Sequence, residues 1–342
     1  MDTTLGTDLV VEAMAPATLS DDDAAALAVL QNAASEVDSP HLAPEIPRHL
    51  QLRLRHGWEG YPLEALLVAR TAGGAPVGLV EIEVTHWDNP DLAVLELQVH
   101  PSHRRDDTVA ELLLQRALDV VRASGRTNVV ADAWQQSWLA GFWERQGWPV
   151  ATRAAQRRLV LADLDRTLLD TQLAEAERAS QAYDIEVLPW PTPEPMVHGL
   201  LAVHRAMNDA PLDDLEVADD VWTVPRLIAS EAAMSAREKR IHRLVARRRS
   251  DGVVGGYTVV MVNQDRPTLG YQDDTAVVGE HRGHRLGLRL KAAMLRRLAT
   301  VEPLLETIDT WNAESNAHMI AVNEQLGCVV VGRGQVVQRQ LD

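Results

Sequence analysis

The spacing of apolar residues divides the first half of the chain into strands and helices. Short apolar runs bounded by Gly, Pro or Asn predict strands, and apolar residues that repeat every three to four positions predict helices. The predicted strands span residues 8–14, 64–72, 76–87, 92–100, 128–134 and 153–161. The predicted helices span residues 19–34, 44–57, 108–125 and 138–147. Ser20, followed by a run of aspartates, is typical of a helix start.

The second half repeats this order of elements. Its predicted strands span residues 183–190, 240–248, 252–262, 268–278, 305–311 and 336–341. Its predicted helices span residues 193–209, 224–238, 286–300 and 316–327. In an alignment of the halves, His103 and Arg104 fall on His281 and Arg282, and "GFWERQGW" falls on "AVNEQLGC". A repeat of this length indicates duplicated domains rather than a solenoid.

The boundary between the copies is predicted in an Ala-, Glu- and Leu-rich segment, residues 161–182, which is typical of a connecting helix. We therefore expect an N-terminal domain of residues 1–163, a linker helix of residues 164–182 and a C-terminal domain of residues 183–342. A chain of 342 residues is long for one domain and ordinary for two. The predicted fold class is α/β, with a mixed sheet flanked by helices in each domain.

The composition narrows the class of partner. The chain has 33 Lys and Arg against 49 Asp and Glu, which argues against nucleic-acid binding and favours a cationic or amine-bearing small molecule. The single cysteine, Cys328, cannot form an internal disulfide. The start "MDTTLGTDLVVEAM" lacks the features of a signal peptide, and no uninterrupted run of about 18 apolar residues occurs. We expect a soluble cytoplasmic monomer or homodimer that binds neither membrane nor nucleic acid.

The stretch "GEHRGHRLGLRL", residues 279–290, has the features of an anion site. It joins a predicted strand to a predicted amphipathic helix, whose first N–H groups have no partner within the helix. Gly283 and Gly287 let a ligand approach the backbone, and Arg282 and Arg285 add positive charge. Neither the P-loop motif nor the dinucleotide-binding glycine motif occurs. The sequence therefore predicts a phosphate-binding turn of another kind.

Several antiparallel strands, this turn, a long helix, a strand and a short helix between Asn and Gly together resemble the GCN5-related N-acetyltransferase (GNAT) family. The phosphate turn of that family reads R-x-x-G-x-G or A; here Arg282 and Gly287 match it and Arg285 replaces the middle glycine. The resemblance covers residues 183–342 well and residues 8–162 in outline. It implies two tandem GNAT-like domains, each a mostly antiparallel sheet flanked by helices. Tandem actinobacterial acetyltransferases, mycothiol synthase among them, are distantly similar because they too have one degenerate copy.

The resemblance also implies acetyl-CoA as the co-substrate and no metal. The backbone of residues 283–288 would hold the pyrophosphate, and an asparagine at the start of the last helix would contact the pantetheine arm. The residues that the resemblance assigns to the coenzyme are Val277, Val278, Arg282, Gly283, His284, Arg285, Leu286, Gly287, Leu288 and Asn316. His281 and His284 alone are too few ligands for a metal site.

The first copy departs from this pattern at its own turn. Asp106 and Asp107 stand where the second copy has His284 and Arg285, and Val109 replaces Gly287. A carboxylate at a helix start satisfies the N–H groups that a phosphate would use, and a second carboxylate repels the phosphate. We expect the first copy to be a scaffold or, alternatively, to line the acceptor cleft.

Acyl transfer to an amine needs a base, a polarised carbonyl group and a stabilised thiolate. Asp273 and Asp274 lie on the strand before the turn, and because strand residues alternate in direction we expect only one to enter the cleft. Asp274 aligns with Glu96 of the first copy and is the predicted base. Asn323 stands where the family usually has a tyrosine that acts as the general acid. Either Asn323 assists weakly, a residue such as Tyr257 or Tyr271 replaces the tyrosine, or the thiolate leaves unaided.

The sequence therefore predicts an acyl-CoA-dependent N-acyltransferase, in the simplest case an acetyltransferase. It would transfer the acyl group directly to a primary amine of a small cationic metabolite, with amino sugars and aminoglycoside-like compounds as one class of acceptor. The alternative is a catalytically impaired acyl-CoA-binding sensor or scaffold, which the missing tyrosine would allow.

Overall fold

The computed structural model of the protein describes residues 9–57 and 59–342. Residues 1–8, which include the first residue of the predicted strand 8–14 and much of the segment inspected for a signal peptide, lie outside the described residues. Packing divides the chain into two compact units. Unit 1 comprises the chain up to Arg153 together with Asp214–Ala218 and Gly334–Asp342, and unit 2 comprises Ala154–Asp213 and Asp219–Arg333.

Unit 1 is a mixed sheet with helices packed against it. Its elements are β1 Val10–Met14, α1 Asp21–Asp38, α2 Pro47–His56, β2 Ala65–Arg70, β3 Pro76–Val84, β4 Leu92–Val99, α3 Thr108–Ala123, β5 Asn128–Trp134, α4 Trp138–Arg145 and the later part of β12, Val329–Gln340. The strand order is β1-β2-β3-β4-β5-β12. The pairing of β4 with β5 is parallel, and the other described pairings are antiparallel. As predicted, Ser20 caps α1, because its Oγ accepts a hydrogen bond from Asp23 N.

Unit 2 repeats this architecture. Its elements are most of β6 Val150–Val160, α5 Arg166–Ala179, β7 Tyr183–Val187, α6 Val197–Arg205, α7 Val224–Ala236, β8 Lys239–Arg248, β9 Val254–Asn263, β10 Arg266–Val277, α8 Leu286–Val301, β11 Thr307–Ala313 and α9 Ala317–Gln325. The strand order is β7-β8-β9-β10-β11-β6, and β10 and β11 form the parallel pair. The predicted helices and strands of both halves are present, and the predicted α/β class with a mixed sheet is confirmed.

The last strand of each half of the sequence lies in the sheet that the other half mainly forms. Ala154–Val160 pair antiparallel with β11 in unit 2, and Gly334–Gln340 pair antiparallel with β5 in unit 1. The compact units therefore divide the chain elsewhere than the predicted boundary at residues 164–182. The helix predicted there, α5, packs on α8 as part of unit 2. The pattern of a strand shows which of its faces is buried but not which strand is its partner.

Apolar side chains form a core on each face of both sheets. In unit 1, α3 and α4 contribute Leu113, Phe142 and Trp143 to one core, and α1 and α2 cover a second. In unit 2, α5, α8 and α9 contribute to one core and α6 and α7 to the other. Within the described residues, no helix has the length and apolar composition needed to cross a membrane.

A buried carboxylate links β6 to β11 in unit 2. Asp309 on β11 is 2% exposed and accepts hydrogen bonds from Arg158 Nε (2.6 Å), Arg158 Nη2 (2.7 Å) and Gln156 Nε2 (2.9 Å). Arg158 and Gln156 both lie on β6. Because a buried charge is stable only when it is paired, this contact favours the pairing of β6 in this sheet.

We expect Asp309→Asn to lower the free energy of unfolding by about 2–3 kcal/mol, because it removes the buried carboxylate charge that pairs with the guanidinium of Arg158. Water compensates part of this loss, since the side chain of Arg158 is 21% exposed. Urea denaturation measures the change. The control is Asp163→Asn, an exposed position just past the end of β6, which should change stability by less than about 0.5 kcal/mol. Equal effects of the two substitutions would contradict this assignment.

Candidate functional site

The start of α8 exposes backbone N–H groups. Arg285 occupies the N-cap position with φ 55° and ψ 25°, in the left-handed region that favours glycine, and no side chain caps the helix. Arg285 therefore adopts the backbone conformation expected of the motif's middle glycine. The side chains of Leu286 and Leu288 are 2% and 5% exposed and belong to the core. Those two residues can offer only their backbone to a ligand.

Glycines leave open space around this turn. A Cβ atom placed on Gly279, Gly283 or Gly287 would have no heavy atom within 4 Å among the described residues, apart from its immediate chain neighbours and its own helix. Gly283 has φ 81°, which explains the choice of glycine there. Gly287 lies in the first turn of α8, and glycine has a lower helix propensity than alanine. Since packing does not explain Gly287, its bare backbone fits a ligand that lies against it.

Arg282 and Arg285 place positive charge beside the bare backbone. Arg282 Nε donates to the Val277 carbonyl (3.0 Å), and its Nη2 pairs with Asp209. Arg285 Nη1 pairs with Glu175 at 2.7 Å. Both guanidinium groups are about half exposed. Because exposed ion pairs of this kind are weak, either arginine can turn to an anionic ligand.

The two histidines of the turn have different surroundings. His281 is fully buried, and its Nδ1 lies 2.8 Å from the hydroxyl of Tyr183. The ring of His284 lies 5.7 Å from the same tyrosine ring, at the turn itself. His281 is therefore a packing residue, whereas His284 lies beside the predicted coenzyme site.

Val278 follows the last residue of β10. It donates its N–H to the Gly255 carbonyl (3.0 Å).

Unit 1 closes the equivalent helix start with its own side chains. Asp107 has φ 56°, like the N-cap of α8, and its carboxylate forms a bidentate pair with Arg145 (2.7 and 2.9 Å). Asp106 accepts a hydrogen bond from the N–H of Thr108 at 3.4 Å. One of the two carboxylates, Asp106, thus accepts a hydrogen bond from a helix N–H group, and the other, Asp107, is held by Arg145. Val109 is 3% exposed and packs in the core.

A β-bulge interrupts β10 where the two candidate bases lie. Gln272 pairs with Val260 and Thr275 with Thr258, so that two aspartates, Asp273 and Asp274, lie opposite a single residue of β9. The alternation of side chains does not hold across a bulge, so our reason for admitting only one aspartate to the cleft does not apply. The corresponding pairing of β3 with β4 in unit 1 has no register shift.

Next to the bulge, β10 and β11 separate. Their last described pair is Tyr271 with Asp309. In unit 1 the ladder runs one pair further, through Leu95 and Ala131. We call the opening between β10 and β11, from Gln272 onwards, the fork. Past the bulge, β10 continues to Val277, and the turn after it leads to the bare backbone at the start of α8.

Asp274 is held by a tyrosine at the bulge. Its Oδ2 accepts a hydrogen bond from the hydroxyl of Tyr257 at 2.5 Å. Burial raises the pKa of Asp274, and the Tyr257 hydrogen bond opposes that rise. Burial, and then the charge of Asp274, raises the pKa of Asp273 to about 7. Both carboxyl groups thus have raised pKa values, which suits a proton acceptor.

His204 on α6 extends this cluster, although the sequence patterns did not single it out. Its Nδ1 lies 3.2 Å from the hydroxyl of Tyr257, and its ring stacks on Trp222 with centroids 3.9 Å apart. Burial, and then the charges of Arg243 and Arg226, lowers the pKa of His204 to about 3, so the ring is neutral. A histidine on the otherwise apolar face of α6 was the available signal.

The two asparagines of α9 have separate roles. Asn316 is the N-cap of α9, and its Oδ1 accepts a hydrogen bond from Met319 N (3.1 Å). Asn323 is fully buried, and its Nδ2 donates to Asn312 Oδ1 (2.6 Å). Among the described residues, the Oδ1 of Asn323 has no hydrogen-bond partner. An amide does not release a proton as a phenol does, so Asn323 can contribute only hydrogen bonds.

Solved GNAT structures are similar to this chain over almost its whole length. A tandem GNAT protein from the clavulanic acid biosynthesis pathway, in a structure without acetyl-CoA, has a TM-score of 0.79 and 25% identity over 97% of this chain and 98% of that one. A GCN5-related N-acetyltransferase from Sphaerobacter thermophilus has a TM-score of 0.69 and 15% identity over 98% of this chain and 97% of that one.

The glucosamine N-acetyltransferase region of a fungal multi-domain GH3 β-N-acetylglucosaminidase has a TM-score of 0.68 and 14% identity, over 99% of this chain and 39% of that one. No family model matches the chain, and no curated protein sequence matches it. The likeness to mycothiol synthase stays a prediction.

The left-handed backbone at Arg285 can be tested by comparing two substitutions. Arg285→Gly and Arg285→Ala both remove the Glu175 ion pair, but only glycine adopts φ 55° without strain. We expect the glycine variant to have the larger free energy of unfolding, by about 1 kcal/mol. Chemical denaturation of both variants measures the difference. Asp107→Gly and Asp107→Ala form the matched pair in unit 1, and equal stability within each pair would contradict the assigned backbone conformation.

Proposed function

Since the chain has the tandem GNAT fold, we propose that unit 2 binds an acyl-CoA and transfers its acyl group to a primary amine. Acetyl-CoA is the simplest donor. The acceptor is a small cationic metabolite, with amino sugars and aminoglycoside-like compounds as one class. Unit 1 serves as a scaffold and does not bind the coenzyme.

The observation that carries the proposal is the bare backbone at the start of α8. Uncapped N–H groups, glycines with open space around them and two half-exposed arginines form an anion site of the kind that a pyrophosphate occupies. The pyrophosphate would lie against residues 283–288. Val277 and Val278 would flank the pantetheine arm in the fork, and Asn316 would contact it from α9.

The bulge residues supply the proton chemistry of the proposed reaction. Asp274 takes a proton from the acceptor ammonium, directly or through water, and the neutral nitrogen attacks the thioester carbonyl carbon. The C–N bond forms and the C–S bond breaks, without an acyl-enzyme. Tyr257, whose pKa burial and Asp274 raise well above the usual value, stays protonated and keeps Asp274 in position. The neutral His204 does not compete with Asp274 for the proton.

The charges beside the bulge favour a cationic acceptor. Asp273 and Asp274 are adjacent, and Asp220 is close enough to raise the pKa of Asp274 further. An acceptor ammonium would reduce the repulsion among these carboxylates. A neutral or anionic acceptor would gain no such stabilisation.

The buried position of Asn323 supports a second candidate function, an acyl-CoA-binding sensor or scaffold. The reason is that an amide in the place of the tyrosine leaves the thiolate without an evident acid on α9. Thiol release from acetyl-CoA in the presence of glucosamine, an aminoglycoside and simple polyamines separates the two functions. Release with at least one amine supports the enzyme, whereas tight coenzyme binding without release supports the sensor.

Gly287→Val tests the coenzyme site. We expect the affinity for acetyl-CoA to fall at least ~100-fold, or about 2.7 kcal/mol, because the valine side chain would cover the backbone that holds the phosphates. The fold should tolerate the change, since the space around Gly287 is open. Isothermal titration calorimetry measures the affinity, and Val109→Ala at the matched position in unit 1 should leave it unchanged. Equal losses from both variants would show that unit 1 also binds the coenzyme.

The pH dependence of kcat/KM tests the base. Asp274 must be ionised to accept a proton, so we expect activity to be lost as the pH falls through the raised pKa of Asp274. Tyr257→Phe removes a hydrogen bond that lowers the pKa of Asp274, and should move this acidic limb to higher pH by about one unit. Asp274→Asn should lower kcat/KM by about 10²–10⁴-fold.

Glu96→Gln is the matched control for the base, because Glu96 takes the place of Asp274 in unit 1. It should change neither the rate nor the pH profile. If the Asp274→Asn variant keeps both the kcat/KM of the unaltered protein and its loss of activity at low pH, the base is another residue.

A further inference from the structure

A small cavity with a mainly apolar wall and several polar side chains lies at the closed end of the fork in unit 2. It has a volume of about 20 Å³, which is enough for one water molecule. Apolar side chains form part of its wall. Its polar lining consists of Gln272, Lys291, Thr310, Asn323 and Cys328. The cavity therefore combines a cation, amides, a hydroxyl group and a thiol within an otherwise apolar core.

The same positions are apolar in unit 1. The strand registers and the alignment of the halves match these residues, in the same order, with Leu95, Leu113, Ala131, Trp143 and Trp148. Each of the five is at most 3% exposed and belongs to one continuous core. The copy that keeps the phosphate turn thus has a cavity with five polar side chains where the other copy has a packed apolar cluster. Packing and stability do not require this difference, because unit 1 shows an apolar solution in the same fold.

Lys291 is the charged member of the cavity. Its side chain is 5% exposed, and the described residues place no carboxylate in an ion pair with it. The charged form of the Cys328 thiol favours the ammonium form of Lys291. Burial raises the pKa of Cys328, and the charge of Arg157 on β6 opposes that rise. Burial lowers the pKa of Lys291 to about 8, and Cys328 opposes that change. A lysine in this state is charged at neutral pH and gives up its proton readily.

The cavity lies where the thioester would end. Gln272 and Thr310 are the first residues past the last pair of the ladder, Tyr271 with Asp309, and both line the cavity. Asn323, with its unpartnered buried Oδ1, lines the cavity from α9. A pantetheine arm that entered the fork from the start of α8 would therefore reach the cavity with its sulfur end.

We propose that Lys291 supplies the proton that neutralises the leaving coenzyme A thiolate, across the one-water cavity that it shares with Asn323. This inference rests on the proposed function. When the C–S bond breaks, its electron pair stays on sulfur, and the sulfur takes the proton from the Lys291 ammonium. The neutral amine then regains, through solvent, a proton equivalent to the one that Asp274 removed from the acceptor. Lys291 thereby takes the role that the tyrosine of the family motif would have.

The first test needs no acceptor and measures the thiol of bound coenzyme A. Thiolate absorbance in the ultraviolet follows its ionisation with pH. We expect the bound thiol to ionise at lower pH than free coenzyme A, because the ammonium favours the thiolate. In the Lys291→Met variant, the acid ionisation constant of the bound thiol should fall about tenfold or more, so that the thiol ionises at higher pH. Coenzyme binding should not weaken. Leu113→Met, the matched substitution in unit 1, should leave the titration unchanged.

The second test separates charge from proton donation. Lys291→Arg keeps a cation but cannot give up a proton near neutral pH. We expect it to keep the low ionisation pH of the bound thiol but to release thiol from acetyl-CoA at least about tenfold more slowly than the unaltered protein. Normal release by the arginine variant would overturn proton donation.

Coenzyme binding distinguishes failure of this inference from failure of the proposed function. If the unaltered protein binds coenzyme A and its thiol ionises at the same pH in the Lys291→Met variant, the role of Lys291 is wrong and the proposed function stands. If the unaltered protein does not bind coenzyme A, the proposed function falls and this inference falls with it.

Discussion

The separation of β10 from β11 is the constraint on which the site depends. Past Tyr271 and Asp309 the parallel ladder ends, so the backbone groups that would have continued it face an opening. Backbone groups away from water need hydrogen-bond partners, so such an opening is stable only when water or a ligand with amide groups lies in it. A pantetheine arm carries such groups. The bulge at Asp273 and Asp274 adds an extra residue to β10 just past the end of the ladder, and a bulge bends its strand.

Much of this architecture is predictable from the sequence, because amphipathic helices and alternating strands reflect burial that local composition already encodes. The helices, the strands and the uncapped turn all occur where their patterns indicate. The partners of β6 and β12 were not predictable, because either strand would bury the same face beside β5 or beside β11. The bulge was not predictable either, since two adjacent aspartates fit a regular strand as well as an interrupted one.

Two site residues had a weaker signal that could have been used. His204 and Lys291 each lie on the apolar face of a helix, where a polar side chain lowers stability and is therefore typical of a functional site. The equivalent of Lys291 in unit 1 is Leu113, so an alignment of the two copies is enough to mark the position. A duplicated chain thus carries its own reference. Where one copy keeps the packed solution, a polar substitution in the other points to chemistry rather than to drift.

The exchange of strands explains why a copy without a usable phosphate turn would be retained. Unit 2 obtains the partner of β11 from β6, which the first half of the chain carries, and Asp309 is paired through Arg158 and Gln156 of that strand. Unit 1 likewise receives residues Gly334–Gln340 from the end of the chain. A chain cut between the halves would leave each sheet with an unpaired edge at β5 or β11 and would leave Asp309 buried without its cation. Selection on the proposed catalytic unit therefore also preserves the first half, even though Asp106, Asp107 and Val109 close its own turn.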